Sequence, residues 1–279
     1  MLDKLSIFPN TSRPPSIGIF DSGVGGLTVL RALLSSEIAA HYLYLGDTAR
    51  MPYGPKPVSA IQRYGFECSE WLIQRGAQAL VIACHTSAST GVGPLLASAF
   101  QVPVLDISQA TLRLLQDSRA QGPVVVLGTT TTIQSGIYER WVTTHLPHRP
   151  YTGIACPLLG PIVEEGLAEH AVAQLMIEHY LKVLPDTSEG SLVLGCTHYP
   201  ALLPLFRQAL GSGWEIIDPS SQCIRLVQML VSQRGRPSAQ WAVTESPKKL
   251  EAVGPILLGH DLGPCELAQL CARPVLSSS

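Results

Sequence analysis

"IGIFDSGVGGLTVLRALLSSEIAAHYLYL" spans residues 17–45 and contains a complete strand, turn, helix and strand pattern. Ile17–Phe20 is an apolar run of strand length that ends in the turn-forming DSGVGG, after which apolar residues recur at 27, 30 and 34, the spacing of one helical face. A second apolar run, Tyr42–Leu45, follows. A helical crossover between neighbouring strands makes them parallel. The rhythm goes on with a helical stretch from about 58 to 75 and strand-like "ALVIA" at 79–83. It continues through "VPVL" (102–105), "PVVVLG" (123–128), "GIAC" (153–156), "SLVLG" (191–195) and "EIID" (215–218), each followed by a segment able to be helical. Such alternation predicts an α/β protein of mostly parallel sheets flanked by helices.

The chain of 279 residues is long enough for two modest units with cores of their own. Hydrophobic residues make up 46% and charged residues 14%, which excludes a disordered solvating chain. A net charge of -2, with 14 Arg and 5 Lys scattered along the chain, gives no footprint for nucleic acid. No apolar run spans a bilayer, and the start "MLDKLSIFPNTSRPP" lacks the apolar middle of a signal peptide, so a cytoplasmic protein with no membrane partner is expected. Residues 1–15 are rich in turn formers and read as a flexible arm. Seven cysteines, at 68, 84, 156, 196, 223, 265 and 271, form an odd set without CxxC spacing, as suits free thiols in a reducing compartment.

In open parallel sheets, ligands gather beyond the carboxyl ends of strands. Asp21-Ser22, Asp47 to Gly54, Thr129 to Thr132 and two cysteine stretches all fall at such places. "ALVIACHTSAS" (79–89) is echoed by "SLVLGCTHYPA" (191–201), which suggests two similar units facing each other, each offering a thiol. Chance similarity between two buried strands is the competing explanation. A pair of opposed thiols suits one chemistry well: inversion of a stereocentre, with a base on one face and an acid on the other. Proton removal beside a carboxylate also needs donors for the developing charge, and Ser22, Thr86, Thr129, Thr132 and Thr197 supply hydroxyls. Asp21 is placed for a substrate amino group. The inferred ligand is a small α-amino acid.

"IGIFDSGVGGLTVLRAL", "YLGDTARMPYGPKP", "ALVIACHTSAS", "GTTTTIQSGIYER", "ACPLLGPIVEEG" and "LVLGCTHYP" resemble, in order, the signatures of the cofactor-independent glutamate racemases of the aspartate/glutamate racemase superfamily. The resemblance runs from about residue 16 to about 258. It implies two similar α/β lobes, 16–107 plus 221–279 and 108–220, hinged around an active site in the cleft between them. It implies that Cys84 and Cys196 work on opposite faces of the substrate Cα, with Asp21 assisting the first thiol, His198 the second, and Glu164 supporting His198. Substrate contacts carry over to Asp21, Ser22, Tyr53, Gly54, His85, Thr86, Thr129, Thr132, Thr197 and His198. The family usually has Asn where this chain has His85, and "DISQA" (106–110) also departs from the usual pattern. An imidazole beside Cys84 could lower the pKa of that thiol, but it cannot reproduce an amide's paired donor and acceptor.

Interconversion of L- and D-glutamate without cofactor or metal, supplying a cell-wall precursor, is the activity so implied. Aspartate racemization or a related superfamily activity is the alternative that His85 leaves open. Some members of the family also bind and inhibit DNA gyrase, which gives a third reading for residues 1–15 beside the plainer one of an unstructured leader. A homodimer is one of the arrangements left open. Pyridoxal phosphate would need a Schiff-base lysine, and none of Lys4, Lys56, Lys182, Lys248 and Lys249 has such a setting. "HLPH" (145–148) has the spacing of a metal pair but no third ligand, and DSGVGG lacks nucleotide-loop spacing. Cys68, Cys156, Cys223, Cys265 and Cys271 are read as packing residues.

Overall fold

The computed structural model describes residues 7–8, 13–259 and 263–271, so most of the expected 1–15 arm, and His260, lie outside the described residues. The strands are β1 (Ser16–Asp21), β2 (His41–Gly46), β3 (Ala79–Ile82), β4 (Val104–Asp106), β5 (Val124–Gly128), β6 (Tyr151–Ala155), β7 (Gly190–Gly195), β8 (Trp214–Ile217), β9 (Ser238–Val243) and β10 (Glu266–Leu267). The helices are α1 (Leu27–Leu34), α2 (Val58–Gln74), α3 (His85–Ser89), α4 (Val92–Phe100), α5 (Ile107–Asp117), α6 (Thr130–Gln134), α7 (Ile137–His145), α8 (Leu159–Glu164), α9 (Ala171–Leu181), α10 (Leu203–Leu210), α11 (Gln222–Gln228) and α12 (Pro247–Leu258).

The strands form two parallel sheets, one of six in the order β10-β9-β2-β1-β3-β4 and one of four in the order β6-β5-β7-β8. The run β2-β1-β3-β4 has the same connectivity as β6-β5-β7-β8, so β3 and β7 occupy equivalent places. This gives the echo between "ALVIAC" and "LVLGC" a topological basis. β9 and β10 come from the C-terminal part of the chain and extend the first sheet, although sequence periodicity does not announce them. β9, SAQWAV, opens with small and polar residues, and its first four are at least partly exposed.

Both faces of the central strands are covered, and their side chains read accordingly as continuous apolar runs: Ile17, Ile19, Phe20, Val124, Val125, Val126 and Leu127 are fully buried. Each large apolar side chain so buried contributes roughly 1.5–3 kcal/mol, which supports a core able to carry polar groups elsewhere. α1 buries Leu27, Leu30 and Leu33 and turns Arg31 outward. A Cβ on Gly18 would lie 3.0 Å from the Leu72 Cβ, so the glycine sets the close approach of α2 to β1. No helix among the described residues is long and apolar enough to cross a membrane.

Candidate active site

The carboxyl ends of the strands in both sheets open onto one cavity of about 160 Å³. β1 leads into Ser22, β2 into the loop with Tyr53 and Gly54, β3 into Cys84, His85 and Thr86, β5 into Thr129, and β7 into Cys196, Thr197 and His198; all of these line it, as does Glu164 from α8. The two thiols therefore face a common space from equivalent strand ends.

Cys84 is the residue at which β3 gives way to α3, and its extended backbone (φ -70°, ψ 116°) lets the side chain cap that turn. Its Sγ accepts the Ser87 N–H at 3.5 Å and donates to the Ser22 Oγ at 3.5 Å. Burial pushes the thiol above its ordinary pKa and the neighbouring Asp21 carboxylate pushes it further, against the Ser22 and Ser87 hydrogen bonds. The surroundings of Cys196 are different. Its Sγ lies 3.6 Å from His198 Nδ1, and His198 Nε2 lies 3.0 Å from the Glu164 carboxylate. Burial alone would strip the proton from this imidazole, but Cys196 and Glu164 outweigh it and hold His198 well above the usual histidine range, as a cation. One half-site thus holds a buried thiol beside a carboxylate, the other a cysteine sulfur beside an imidazolium.

Asp21 links the halves. It is fully buried, its Oδ2 accepts the Gly23 N–H at 3.0 Å, and its Oδ1 accepts the Thr197 hydroxyl at 3.2 Å. Burial raises its pKa, while the His198 charge and the Gly23, Gly26 and Thr197 donors only partly counter this. A second link runs from the Thr28 hydroxyl of α1 to the Thr197 carbonyl at 3.1 Å. Gly25 makes these contacts sterically allowed: a Cβ there would lie 2.6 Å from His198 Nδ1 and collide with the Thr197 hydroxyl.

Three hydroxyls form a cluster on the opposite side, with Thr86 Oγ1 2.9 Å from Thr129 Oγ1 and 3.5 Å from Thr132 Oγ1, and Thr129 2.9 Å from Thr132. Two of the predicted substrate contacts are set back from the cavity. Asp21 and Thr132 are buried and do not line it, reaching it through Thr197 and through Thr129 and Thr86 respectively. The structure also redirects His85. Its ring is buried, Nδ1 lies 2.7 Å from the Tyr138 hydroxyl, and burial lowers its pKa to about 3. It is therefore a neutral imidazole turned to Tyr138 and does not supply the charge that would activate Cys84.

Other contributors escape a motif-level reading. Tyr53 is held by a buried cluster in which its hydroxyl donates to Asp47, whose carboxylate also takes Arg50 Nε at 2.6 Å and the Thr244 hydroxyl at 2.9 Å. The Arg50 guanidinium reaches Glu67 of α2 as well. The unusual burial of Glu67 within a helix could be suspected from the apolar residues around it, but its partner could not. Gly54 sits against Thr129, and its carbonyl accepts the Thr131 hydroxyl at 2.6 Å, so this loop joins the two sheets' strand ends. Cys156, read as a packing residue, also lines the cavity; its thiol donates to the Ile154 carbonyl at 3.6 Å, and burial pushes its pKa up strongly. In "HLPH", His145 ends α7 with its ring stacked on Trp141 and Nδ1 3.0 Å from the Trp141 carbonyl. Among the described residues no group of three or more His, Cys, Asp or Glu could hold a metal ion.

The sequence profile of the Asp/Glu/hydantoin racemase family matches residues 22–227. A glutamate racemase of Syntrophus aciditrophicus is 36% identical over 261 residues, covering 91% of this chain and 96% of its own. Among solved structures, the glutamate racemase from Thermus thermophilus in complex with β-chloro-D-alanine superposes with a TM-score of 0.79 at 36% identity, over 92% of this chain and 97% of that one. The glutamate racemase from Francisella tularensis in complex with D-glutamate gives 0.80 at 29% identity, again over 92% and 97%.

Proposed function

The chain belongs to the Asp/Glu/hydantoin racemase family and is an amino-acid isomerase, and on that premise we propose that it interconverts L- and D-glutamate by proton transfer between two thiols. The observation that carries this is the presence of Cys84 and Cys196 in one cavity, each delivered by an equivalent strand end.

The substrate Cα lies between the two sulfurs. For one enantiomer, Cys84 first loses its proton to the Asp21 carboxylate and then takes the α-hydrogen as thiolate. Cys196 gives a proton to the opposite face and is left as thiolate against the protonated His198, with Glu164 neutralising the imidazolium. The other enantiomer runs the same steps in reverse. Negative charge that builds on the α-carboxylate is met by the hydroxyls of Thr86 and Thr129, fixed beforehand by their hydrogen bonds to each other and to Thr132. Burial makes these donors worth more than they would be in water. The lobes are 16–107 plus 221–279 and 108–220, as the origins of the two sheets' strands support, and the protein works in the cytoplasm to supply D-glutamate for peptidoglycan.

The test is to incubate the purified protein with each pure enantiomer of glutamate, without added cofactor, and follow circular dichroism. The signal should decay to zero from either side. A signal that persists from both sides contradicts the proposal, and faster decay with aspartate would move the substrate assignment to the shorter acid.

A further inference from the structure

α3 and the residue that follows it carry four hydroxyls, and three of them are engaged. Thr86 Oγ1 lies 2.9 Å from Thr129 Oγ1, the Ser89 hydroxyl donates to the Thr86 carbonyl at 2.8 Å, and the Thr90 hydroxyl donates to the Ser87 carbonyl at 2.7 Å. The fourth, Ser87 Oγ, is fully buried with no hydrogen-bond partner among the described residues. Short hydroxyl side chains within a helix ordinarily turn back to a carbonyl of the preceding turn, as Ser89 and Thr90 do. Ser87 does not, and its N–H is directed at the Cys84 sulfur at 3.5 Å. It is set back from the cavity that Cys84 lines.

We propose that Ser87 is a positioning residue for the Cys84 thiolate: once the sulfur has given its proton to Asp21, the buried Ser87 hydroxyl turns to it and donates, beside the Ser87 N–H already in place. The bond that the thiol gives to the Ser22 hydroxyl at 3.5 Å ends with that proton, and an anion left in a buried site needs donors in its stead. Ser87 keeps its own proton throughout. Its hydroxyl and its N–H both pull the Cys84 pKa down, against burial and Asp21. Of the other titratable groups around the sulfur, Tyr44 of β2 gives its hydroxyl to the Gly23 carbonyl at 2.8 Å, Tyr53 gives its own to Asp47, and Tyr64 of α2 packs its ring there beneath Arg50. His85 is turned to Tyr138, and Cys196, His198 and Glu164 stand across the cavity. Three residues after Cys196, the place equivalent to Ser87 is taken by Tyr199, whose hydroxyl is committed to the Cys156 carbonyl at 2.9 Å. There His198 supplies the stabilising charge, so the two thiolates are held by different means.

Stabilisation of the thiolate is a property of the ligand-free protein, whereas its effect on turnover rests on the function proposed above. The experiment therefore has two arms, both on the full chain. In the first, Cys84 is modified with iodoacetamide between pH 7 and 10 and followed by mass spectrometry of its peptide. Ser87→Ala should move the pH dependence upward by about one to two pH units, the range of one hydrogen bond to a charged group. At pH 8 the reaction should slow only about three- to tenfold, because the more basic sulfur is also the better nucleophile. Ser89→Ala, which removes a hydroxyl bonded to backbone, should leave the profile in place. A wild-type Cys84 unmodified across the range, an unmoved Ser87→Ala profile, or an equal shift in Ser89→Ala overturns the proposal.

In the second arm, Ser87→Ala should lower kcat/KM roughly 10- to 150-fold, by the same factor from each glutamate enantiomer, with no loss of melting temperature at pH 7. Transfer at Cys84 then limits the rate more than transfer at Cys196. With α-deuterated substrate, the isotope effect on kcat/KM should rise for the isomer whose hydrogen Cys84 removes and fall for its mirror image. Glu164→Gln, which burdens the Cys196 side, should move the two effects the other way. Turnover with both isotope effects unmoved, or moved together, means that Ser87 acts through packing and overturns this inference alone. Absence of turnover in the wild type removes the proposed function, and the modification arm still decides the role of Ser87.

Discussion

Gly25→Ala adds one methyl group at the point where the strand-end loop of the first sheet meets that of the second. The added carbon would lie 2.6 Å from His198 Nδ1 and 2.7 Å from His198 Cε1, whereas unstrained nonbonded carbon contacts fall at about 3.5–4.0 Å, so one side must give by roughly 1 Å. The imidazole cannot give without loss, since it is held between Cys196 at 3.6 Å and Glu164 at 3.0 Å. Overpacking of this kind costs about 1–3 kcal/mol, a lowering of the melting temperature by several degrees. Activity should fall further, because a displacement of about 1 Å at a reacting group can cost on the order of 100-fold. Enantiomers have equal free energy in water, so kcat/KM must fall by the same factor in both directions, measured by circular dichroism from each pure isomer. Gly160→Ala is the matched control: Gly160 also lines the cavity, lies within α8, and a Cβ there meets nothing within 4 Å. Relief of the glycine's conformational freedom should leave that variant as stable as the parent or more so, by up to about 1 kcal/mol. A Gly25→Ala protein with parental kcat/KM and melting temperature would show that the contact between these loops does not position His198.

Glu164→Gln removes one of the two groups, Cys196 being the other, that keep His198 protonated; kcat/KM should drop roughly 10- to 150-fold, the range of one charge-assisted hydrogen bond, and the alkaline limb of the pH profile should move to lower pH. An unmoved limb would contradict the assignment. Asp21→Asn should raise the melting temperature at pH 7 while abolishing most turnover. The sign follows from its raised pKa: Asp21 favours the folded state only below its unfolded value, and that contribution is lost as pH rises through the folded value. A lower melting temperature for Asp21→Asn would contradict it. Cys68, Cys84, Cys156 and Cys223 are all raised by burial, Cys223 to about 12. Their contribution to stability is complete below about 8.5, the unfolded thiol value, and is lost as pH climbs through the folded values. Denaturant midpoints measured from pH 7 to 11 should therefore fall above about pH 8.5, and a flat profile would count against buried neutral thiols.

The alternation of apolar runs with helical spacing makes the α/β class legible, since a buried parallel strand has to be apolar on both faces. Leu27–Leu34 matches the expected helix end for end, while β4 begins two residues after its expected run and takes in Asp106, and β6 begins two residues before its own because Tyr151 and Thr152 join the strand outside the short apolar run. β9 escapes notice because an edge-proximal strand of small and polar residues carries no strong period. Within the site, Cys84, Cys196, His198 and Glu164 can be named from their motifs because those motifs are local. What the sequence cannot convey is direction: that His85 turns to Tyr138, 53 positions away, that Asp21 sits behind Thr197, or that Arg50 joins Asp47 to Glu67. These are contacts between strand ends brought together only by the sheets, and no spacing rule records them.

The proposed hydrogen transfer to opposite faces by two different sulfurs would leave a mark in the product. In deuterium oxide, at low conversion from either glutamate enantiomer, the newly formed isomer should carry deuterium at Cα from the first turnovers while recovered starting material stays largely unlabelled. Product that retains its original α-hydrogen would mean that a single group removes and returns it, and Cys84 and Cys196 would then not flank the substrate as described.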